Sequence, residues 1–386
     1  MERQPKISII IPCLNEEKAI GICLDHILSV IKTNNFDSEI IVVDNGSNDQ
    51  SVNIIKMYSE ENSIIKLVYE NKRGYGSAYL RGLKESTGDF ILMADGDNTY
   101  DFGEIPIFIK ELKKEGVDFV IGNRFIKDNS LHKNMPFLNR WVGNPALSFI
   151  AKTFFKIKIN DFHCGIRAIR KESLSKLKLK TTGMEFASEM IVEASKRNLN
   201  IVEIPVNYNE RIGESKLNPF VDGWRHLRFL FLYSPLYLFF IPGMFLFLNG
   251  LFFMFLIYFF SIPFFSIDFY LHPIFVFSLM LIVGYQIIFF GIFSKIYSIT
   301  HLDEKNIKIE KMFKYITIER AAPVAVLVIL FGLGIFTSVL YRWVSNDFSE
   351  LSEIKNSVVA LTFIVLGIQT FFSSFMLSIL SIKNNV

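Results

Sequence analysis

Four runs of Phe, Leu, Ile and Val, at about 238–260, 273–296, 321–343 and 357–382, constrain this chain more than anything else in it. At 1.5 Å per residue, a helix of about 20 apolar residues crosses the roughly 30 Å of hydrocarbon in a bilayer. Up to about Asn218, by contrast, charged, polar and apolar residues mix as they do in a water-soluble domain. The 386 residues suffice for two or three domains. The expected layout is an α/β domain over 1–219, an amphipathic interfacial helix over 220–235, and a transmembrane domain of four helices over 236–386.

The segment DGWRHLRFLFLYSP sets Trp224, Leu227, Leu230 and Phe231 against Arg225, His226 and Arg228 before Pro235 limits it. Such a helix lies in the headgroup plane with its cations on anionic lipid. Residues 261–272 hold no Lys or Arg, whereas 298–320 carry Lys305, Lys308, Lys311, Lys314 and Arg320. The positive-inside rule therefore predicts a multi-pass protein of the cell membrane with its N-terminal domain and C-terminus in the cytosol. The spans are nearly free of ionisable residues, which argues against a transporter and for an anchor and lipid platform.

Other classes drop out quickly. A net charge of +3, with no basic stripe interleaved with aromatics, gives no reason to expect nucleic acid. Cys13, Cys23 and Cys164 are an odd number without metal spacing, so reduced structural thiols are expected. The start MERQPKISIIIP lacks the charged stretch and long apolar core of a signal peptide.

In the first half, short apolar runs alternate with helical periodicity. ISIIIP, EIIVVD, Ile65 to Tyr69, FILMAD and VDFVIGNRF read as five strands separated by helices, which predicts a mostly parallel sheet covered on both faces. Polar turns follow several of them: Asn15 and Glu16 after the first, Asp44 after the second, Asp95 and Asp97 after the fourth. Ligands of open α/β sheets sit at such carboxyl ends. Two carboxylates one residue apart suit Mg²⁺ or Mn²⁺ completed by substrate phosphates. Gly74 and Gly76 permit close approach of backbone to a ligand, and the helix starting near Ser77 is expected to aim its amide end into the crevice. Glu185 and Glu189, four apart, would share one helix face.

The ordered set IPCLNEE, VVDNGSND, NKRGYGSA, ADGDN, GNRF and NDFHCGIRA, extended by TTGMEFASEMI, VNYNERIGESKL and DGWRHLRFLFLYSP, resembles the inverting glycosyltransferases of family 2. Within that family the likeness is to the polyprenyl-phosphate (dolichol-phosphate) mannose or glucose synthases. It implies a GT-A fold, Rossmann-like, over 1–219, and transfer of a hexose from a nucleotide sugar (UDP- or GDP-hexose) to a polyprenyl phosphate. The resemblance puts the nucleotide-sugar site on Pro12, Asn15, Glu16, Asp44, Gly74, Asp95 and Lys216, and the metal on Asp95 and Asp97. It puts the acceptor phosphate on Arg124, Arg140, Asn144 and Arg211. Asp97 and Asp161 take the catalytic positions, Asp161 where the family has its candidate base. A lipid phosphate is already largely dianionic at neutral pH, so orienting or screening is the alternative role for Asp161. Arg211 and Lys216 belong to a segment suited to close over the leaving diphosphate.

Two departures stand out: Asn45 occupies a position where many relatives have a second Asp, and DGDN replaces the DADLQ common in mannose synthases. The sugar stays open, as does assembly into a homo-oligomer. The competing readings are transfer to another membrane acceptor, although the QxxRW-like string of processive synthases is absent, and a non-catalytic membrane scaffold.

Overall fold

A computed structural model describes residues 5–125, 144–155, 157–213, 219–260, 272–301, 318–348 and 353–381. It divides into two compact units, Met1–Leu230 and Phe231–Val386.

In the first unit, β1 (Ile7–Cys13) and β2 (Ser38–Asp44) are Ile- and Val-rich and buried on both faces. β-Branched side chains fill a two-sided core well, and each fully buried Ile contributes about 1.5–3 kcal/mol. The two strands run parallel with Ile9 beside Ile40 and Cys13 beside Asp44. Between them α1 (Ile20–Asn34) buries Ile20, Cys23, Leu24, Ile27, Val30 and Ile31 and ends on Asn35 in the left-handed region. After α2 (Ser51–Glu61) come β3 (Ile65–Tyr69), α3 (Tyr75–Glu85) and β4 (Phe90–Met93), with β3 parallel to β2 and β4 parallel to β1.

The sheet has seven strands, two more than the apolar runs predict, in the order β3-β2-β1-β4-β6-β5-β7. Following α4 (Ile105–Lys113), β5 (Phe119–Asn123) and α5 (Asn144–Phe155), the short β6 (Arg167–Arg170) runs antiparallel to both β4 and β5. Its sequence RAIR looks like an exposed loop. Both arginines instead donate to backbone carbonyls: Arg167 to Cys164 and Ala187, Arg170 to Val117, Leu112 and Lys114. Beyond α6 (Lys171–Leu174) and α7 (Phe186–Lys196), β7 (Ile201–Pro205) joins β5 in parallel at the edge. The last helix, α8 (Pro219–Leu232), turns His226, Phe229 and Leu230 inward, while Val221, Trp224, Arg225 and Arg228 are exposed. His226 thus leaves the polar face expected for it, and Trp224 shares a face with the arginines.

The second unit holds α9 (Ile241–Phe259), α10 (His272–His301), α11 (Ile318–Ser345) and α12 (Ile354–Ser381). All four are long and apolar enough to cross a membrane, over Leu236–Phe259, Pro273–Thr300, Ile318–Ser345 and Ile354–Ser381. Glycines bring backbones together, Gly243 and Gly250 against α10 and Gly367 against α11. Along the α10–α12 seam three neutral rungs form: Ser278 with Thr362 at 2.6 Å, Tyr285 with Thr370 at 2.6 Å, and Gln369 donating to Gln286 at 2.7 Å. An apolar pocket of about 560 Å³ opens in this unit, lined by Phe275, Phe336, Trp343, Val358 and Leu361.

Glu39 ties four parts of the first unit together. Its carboxylate accepts from Ser8 at 2.7 Å, from the amide and hydroxyl of Thr87 at 2.7 Å each, and from Lys66 at 2.6 Å. Burial alone would raise its pKa, but the bonds from Lys66, Ser8 and Thr87 prevail and hold it down at about 2. A depressed carboxyl stabilises the fold above its unfolded pKa of about 4.3, and that contribution is lost as pH falls toward 2. Thermal unfolding in detergent between pH 5 and pH 2 is expected to show a fall in Tm that is shallower in Glu39→Gln than in the wild type.

Candidate active site

The carboxyl ends of β1, β2 and β4 lie side by side, so the turns after them meet. Pro12 sits in β1 beside Val43. Asn15 adopts a left-handed φ of 53°, accepts from the amide of Asn48 at 2.7 Å and donates its own amide to Ser47 at 2.9 Å. The Glu16 amide donates to Ser51 at 2.8 Å, and Glu17 caps the amide of Gln50 at 3.0 Å. The two turns are therefore stitched into one wall. Asp44 is buried at 4% exposure and accepts from the amides of Gly46 and Ser47 at 3.1 and 3.2 Å, shaping the second turn.

Asn45 explains itself here. Its amide nitrogen donates to the carbonyls of Glu70 and Lys72, both at 2.9 Å, and its oxygen accepts from Gly74 at 2.7 Å. A carboxylate could not donate, so the departure from the family pattern serves to clamp the turn after β3. Gly74, at a φ of 143°, passes so close to the carbonyl of Thr182 that no Cβ fits. The amides of Gly76 and Ser77 donate to the carbonyls of Gly183 and Thr182. The amino end of α3 is thus closed by the 181–183 turn instead of facing a ligand. Glu189, fully buried, in turn holds that turn through Lys180 and Thr181 and does not line the crevice.

Asp95 and Asp97 lie at the mouth of β4. One oxygen of Asp95 accepts from Tyr75 at 2.9 Å and Tyr79 at 3.3 Å; Gly165 packs against the other so tightly that a Cβ would collide with it. Burial first, and the charge of Asp97 second, push the Asp95 carboxyl up to about 6. Asp97 accepts from the amide and hydroxyl of Thr99 at 3.1 and 2.5 Å, and its other oxygen lies 3.3 Å from Arg211. Arg211 also donates to Glu16 at 2.8 Å. Its segment is fastened to the site by Ile212 donating to the Asp97 carbonyl and Asn209 to that of Thr99.

Arg124 and Asp161 form a buried fork. Nε donates to Oδ2 at 2.7 Å and Nη2 to Oδ1 at 2.8 Å, while the Arg124 amide adds a third bond at 3.0 Å. Burial disfavours the guanidinium charge, yet Asp161 holds its pKa well above the usual value. Asp161 is 1% exposed and both of its oxygens are engaged. Asn144 begins α5, and Arg140 and Lys216 lie outside the described residues.

A model of glycosyl transferase family 2 matches residues 8–178, and a model of the family 2 C-terminal transmembrane region matches 292–381. Over 373 residues the chain is 34% identical to the low-salt glycan biosynthesis hexosyltransferase Agl6 of Haloferax volcanii, spanning 97% of this chain and 88% of that protein. The chain belongs to glycosyltransferase family 2. It is also 30% identical over 218 residues to a dolichyl-phosphate hexose transferase of Haloferax volcanii, covering 56% of this chain and 89% of the other. The UDP-N-acetylglucosamine–dolichyl-phosphate N-acetylglucosaminyltransferase of Methanococcus voltae is 33% identical over 218 residues, covering 52% and 84%. This glycosyltransferase has the expected GT-A fold, and its four long apolar helices with the matched transmembrane region make it a multi-pass membrane protein.

Several residues of the site escape sequence reading. Glu203 of β7 accepts from the amides of Asn160 and Asp161 at 2.7 and 2.8 Å and from Asn123 at 3.0 Å, so an edge strand holds the Asp161 turn. A lone Glu inside IVEIP is the only signal of it. Tyr100 accepts from the Gly165 amide at 2.6 Å, and Arg167 braces Cys164 from behind. All three cysteines are free and buried, as expected.

Truncating one partner of the fork strands a buried charge, at a cost of about 3–5 kcal/mol, whereas an apolar pair of similar volume is often close to neutral. Asp161→Ala is therefore expected to unfold at markedly lower temperature than wild type, with Arg124→Met/Asp161→Leu recovering much of the loss. Asn45→Asp removes the donors to the half-buried Glu70 and exposed Lys72 carbonyls, and a drop in Tm worth about 0.5–1.5 kcal/mol per lost bond is expected at most.

Proposed function

We propose that this glycosyltransferase moves a hexose from a UDP- or GDP-linked donor to the phosphate of a polyprenyl phosphate, with inversion at the anomeric carbon, at the cytosolic membrane face. The observation that carries this is the meeting of Glu16, Asp95, Asp97 and Arg211 at the end of β4, in a chain that continues into four helices of membrane-spanning length. The names of the relatives in Haloferax and Methanococcus, which specify hexose transfer and dolichyl phosphate, support the substrate classes.

The donor set fits a hard divalent cation. Asp95 and Asp97 supply oxygen only, and burial first, with the charge of Asp97 second, disfavours the ionised Asp95 carboxyl, a cost that a bound cation would offset. Among the described residues no cluster of three or more His, Cys, Asp and Glu side chains could hold a metal ion. Mg²⁺ and Mn²⁺ keep water and substrate phosphates among their ligands, so a pair of carboxylates is a chemically sufficient protein contribution. When bound, such an ion neutralises the charge developing on the departing diphosphate.

The chain's own groups account for the rest. Pro12, Asn15, Glu16 and Asp44 form the wall for the base and ribose, while Gly74, packed on Thr182, serves only to let the turn after β3 reach the 181–183 turn. Arg211, now neutralising Glu16 and Asp97, turns its guanidinium to phosphate oxygens, and Lys216 joins it on the leaving group. Arg124, with Arg140 and Asn144, receives the acceptor phosphate. That phosphate arrives without a proton to remove, its second pKa being about 6, so Asp161 serves to orient and charge-balance Arg124.

Purified protein with Mg²⁺ or Mn²⁺ is expected to release nucleoside diphosphate from one of UDP-glucose, GDP-mannose or UDP-N-acetylglucosamine only when polyprenyl phosphate is added. Asp97→Asn is expected to abolish that release while unfolding at nearly the wild-type temperature. Full activity of Asp97→Asn, or release that ignores the lipid, would sink the assignment.

A further inference from the structure

A buried polar line joins α8 to the turn that carries Asp161. Ser188 of α7, with no exposed surface, lies 2.8 Å from Nδ1 of His226 and 3.4 Å from Nε2 of His163. The two imidazoles meet edge to face with centroids 4.5 Å apart. His163 is two residues beyond Asp161 and two before Gly165, the glycine pressed against Asp95. Nδ1 of His163 is one of the few buried side-chain polar atoms, among the described residues, with no hydrogen-bond partner.

The serine has a single proton, which fixes the logic of the line. If Ser188 donates to His226, it can accept from Nε2–H of His163; if it donates to His163, it accepts from Nδ1–H of His226. Either way the two imidazoles carry their proton on the same ring position, both on Nε2 or both on Nδ1, so the tautomers are coupled through the serine, and turning or withdrawing one ring upsets the bond to the other. Burial, aided for His226 by the charge of Arg167, pushes His226 down to about 4; burial, with the neighbouring His226, holds His163 well below its usual value. Both rings are neutral at pH 7, so the line depends on geometry and carries no charge.

The other face of α8 displays Trp224, 62% exposed, beside exposed Arg225 and Arg228. An indole among arginines is the composition that settles at the headgroup level of a bilayer. We propose that His226 is a positioning residue: through Ser188 and His163 it sets the 161–165 turn according to how α8 is seated on the membrane, and so aligns the acceptor side of the site. This rests on the function proposed above.

The experiment compares wild type with His226→Ala, Ser188→Ala and His226→Asn in full-length protein reconstituted in anionic vesicles. An asparagine amide can occupy the place of Nδ1, so His226→Asn should keep the bond to Ser188. Loss of one such hydrogen bond is worth up to about tenfold. The alanine variants are expected to raise KM for polyprenyl phosphate by up to about tenfold with donor KM within about twofold, and to speed hydrogen exchange in residues 161–167. His226→Asn should restore both values. Combining the two alanine changes should do no more than either alone. Equal effects on both KM values, unchanged exchange, or no rescue by asparagine would overturn the proposal. Ser188→Ala removes one oxygen and keeps the test open if His226→Ala does not fold. Hydrogen exchange needs no acceptor, so it judges the line even where the lipid phosphate is not the acceptor.

Discussion

Gathering Glu16, Asp95, Asp97 and Asp161 beyond the ends of the sheet's strands concentrates like charge where water is scarce, and the architecture around the site follows from relieving it. Coulomb repulsion strengthens as the local dielectric falls. Three relief devices are visible. Tyrosine hydroxyls from α3 donate to Asp95, Arg211 bridges Asp97 and Glu16, and Arg124 forks onto Asp161. Each device recruits an element that would otherwise have no business at the site. The Tyr75 and Tyr79 hydroxyls bring α3 to β4, and the ring of Tyr79 stacks on Phe186 of α7 at 5.5 Å.

The parallel core was legible because its signal is local. ISIIIP and EIIVVD are β-branched runs of strand length, and the structure buries them on both faces. β6 and β7 were not legible. RAIR takes its place only because Arg167 and Arg170 find carbonyls contributed by segments far apart in sequence, and IVEIP is held by contacts of Glu203 some forty to eighty residues away. Periodicity cannot report such partners.

The same division runs through the site. Motif order put Asp44, Asp95 and Asp97 at strand ends, where they are found, since the chain delivers them there directly. What those side chains bind was hidden. Asp161 reads as a base or an orienting carboxylate in a motif, and in three dimensions both of its oxygens are taken by Arg124; Gly74 and Gly76 read as allowing backbone to approach a ligand and are sealed by the 181–183 turn. His226 reads as one more basic residue of an amphipathic helix, and its hydrogen bond to Ser188 belongs to the interior. Burial, which sequence alone does not give, reverses the meaning of each.

The seam between α10 and α12 has a consequence for the membrane half. Its three rungs join hydroxyls and carboxamides, none bearing a formal charge. Moving one elementary charge across a membrane exchanges about 2.3 kcal/mol per 100 mV. A neutral seam exchanges none of that. These three bonds therefore hold α10 to α12 with the same strength in an energised membrane as in a resting one.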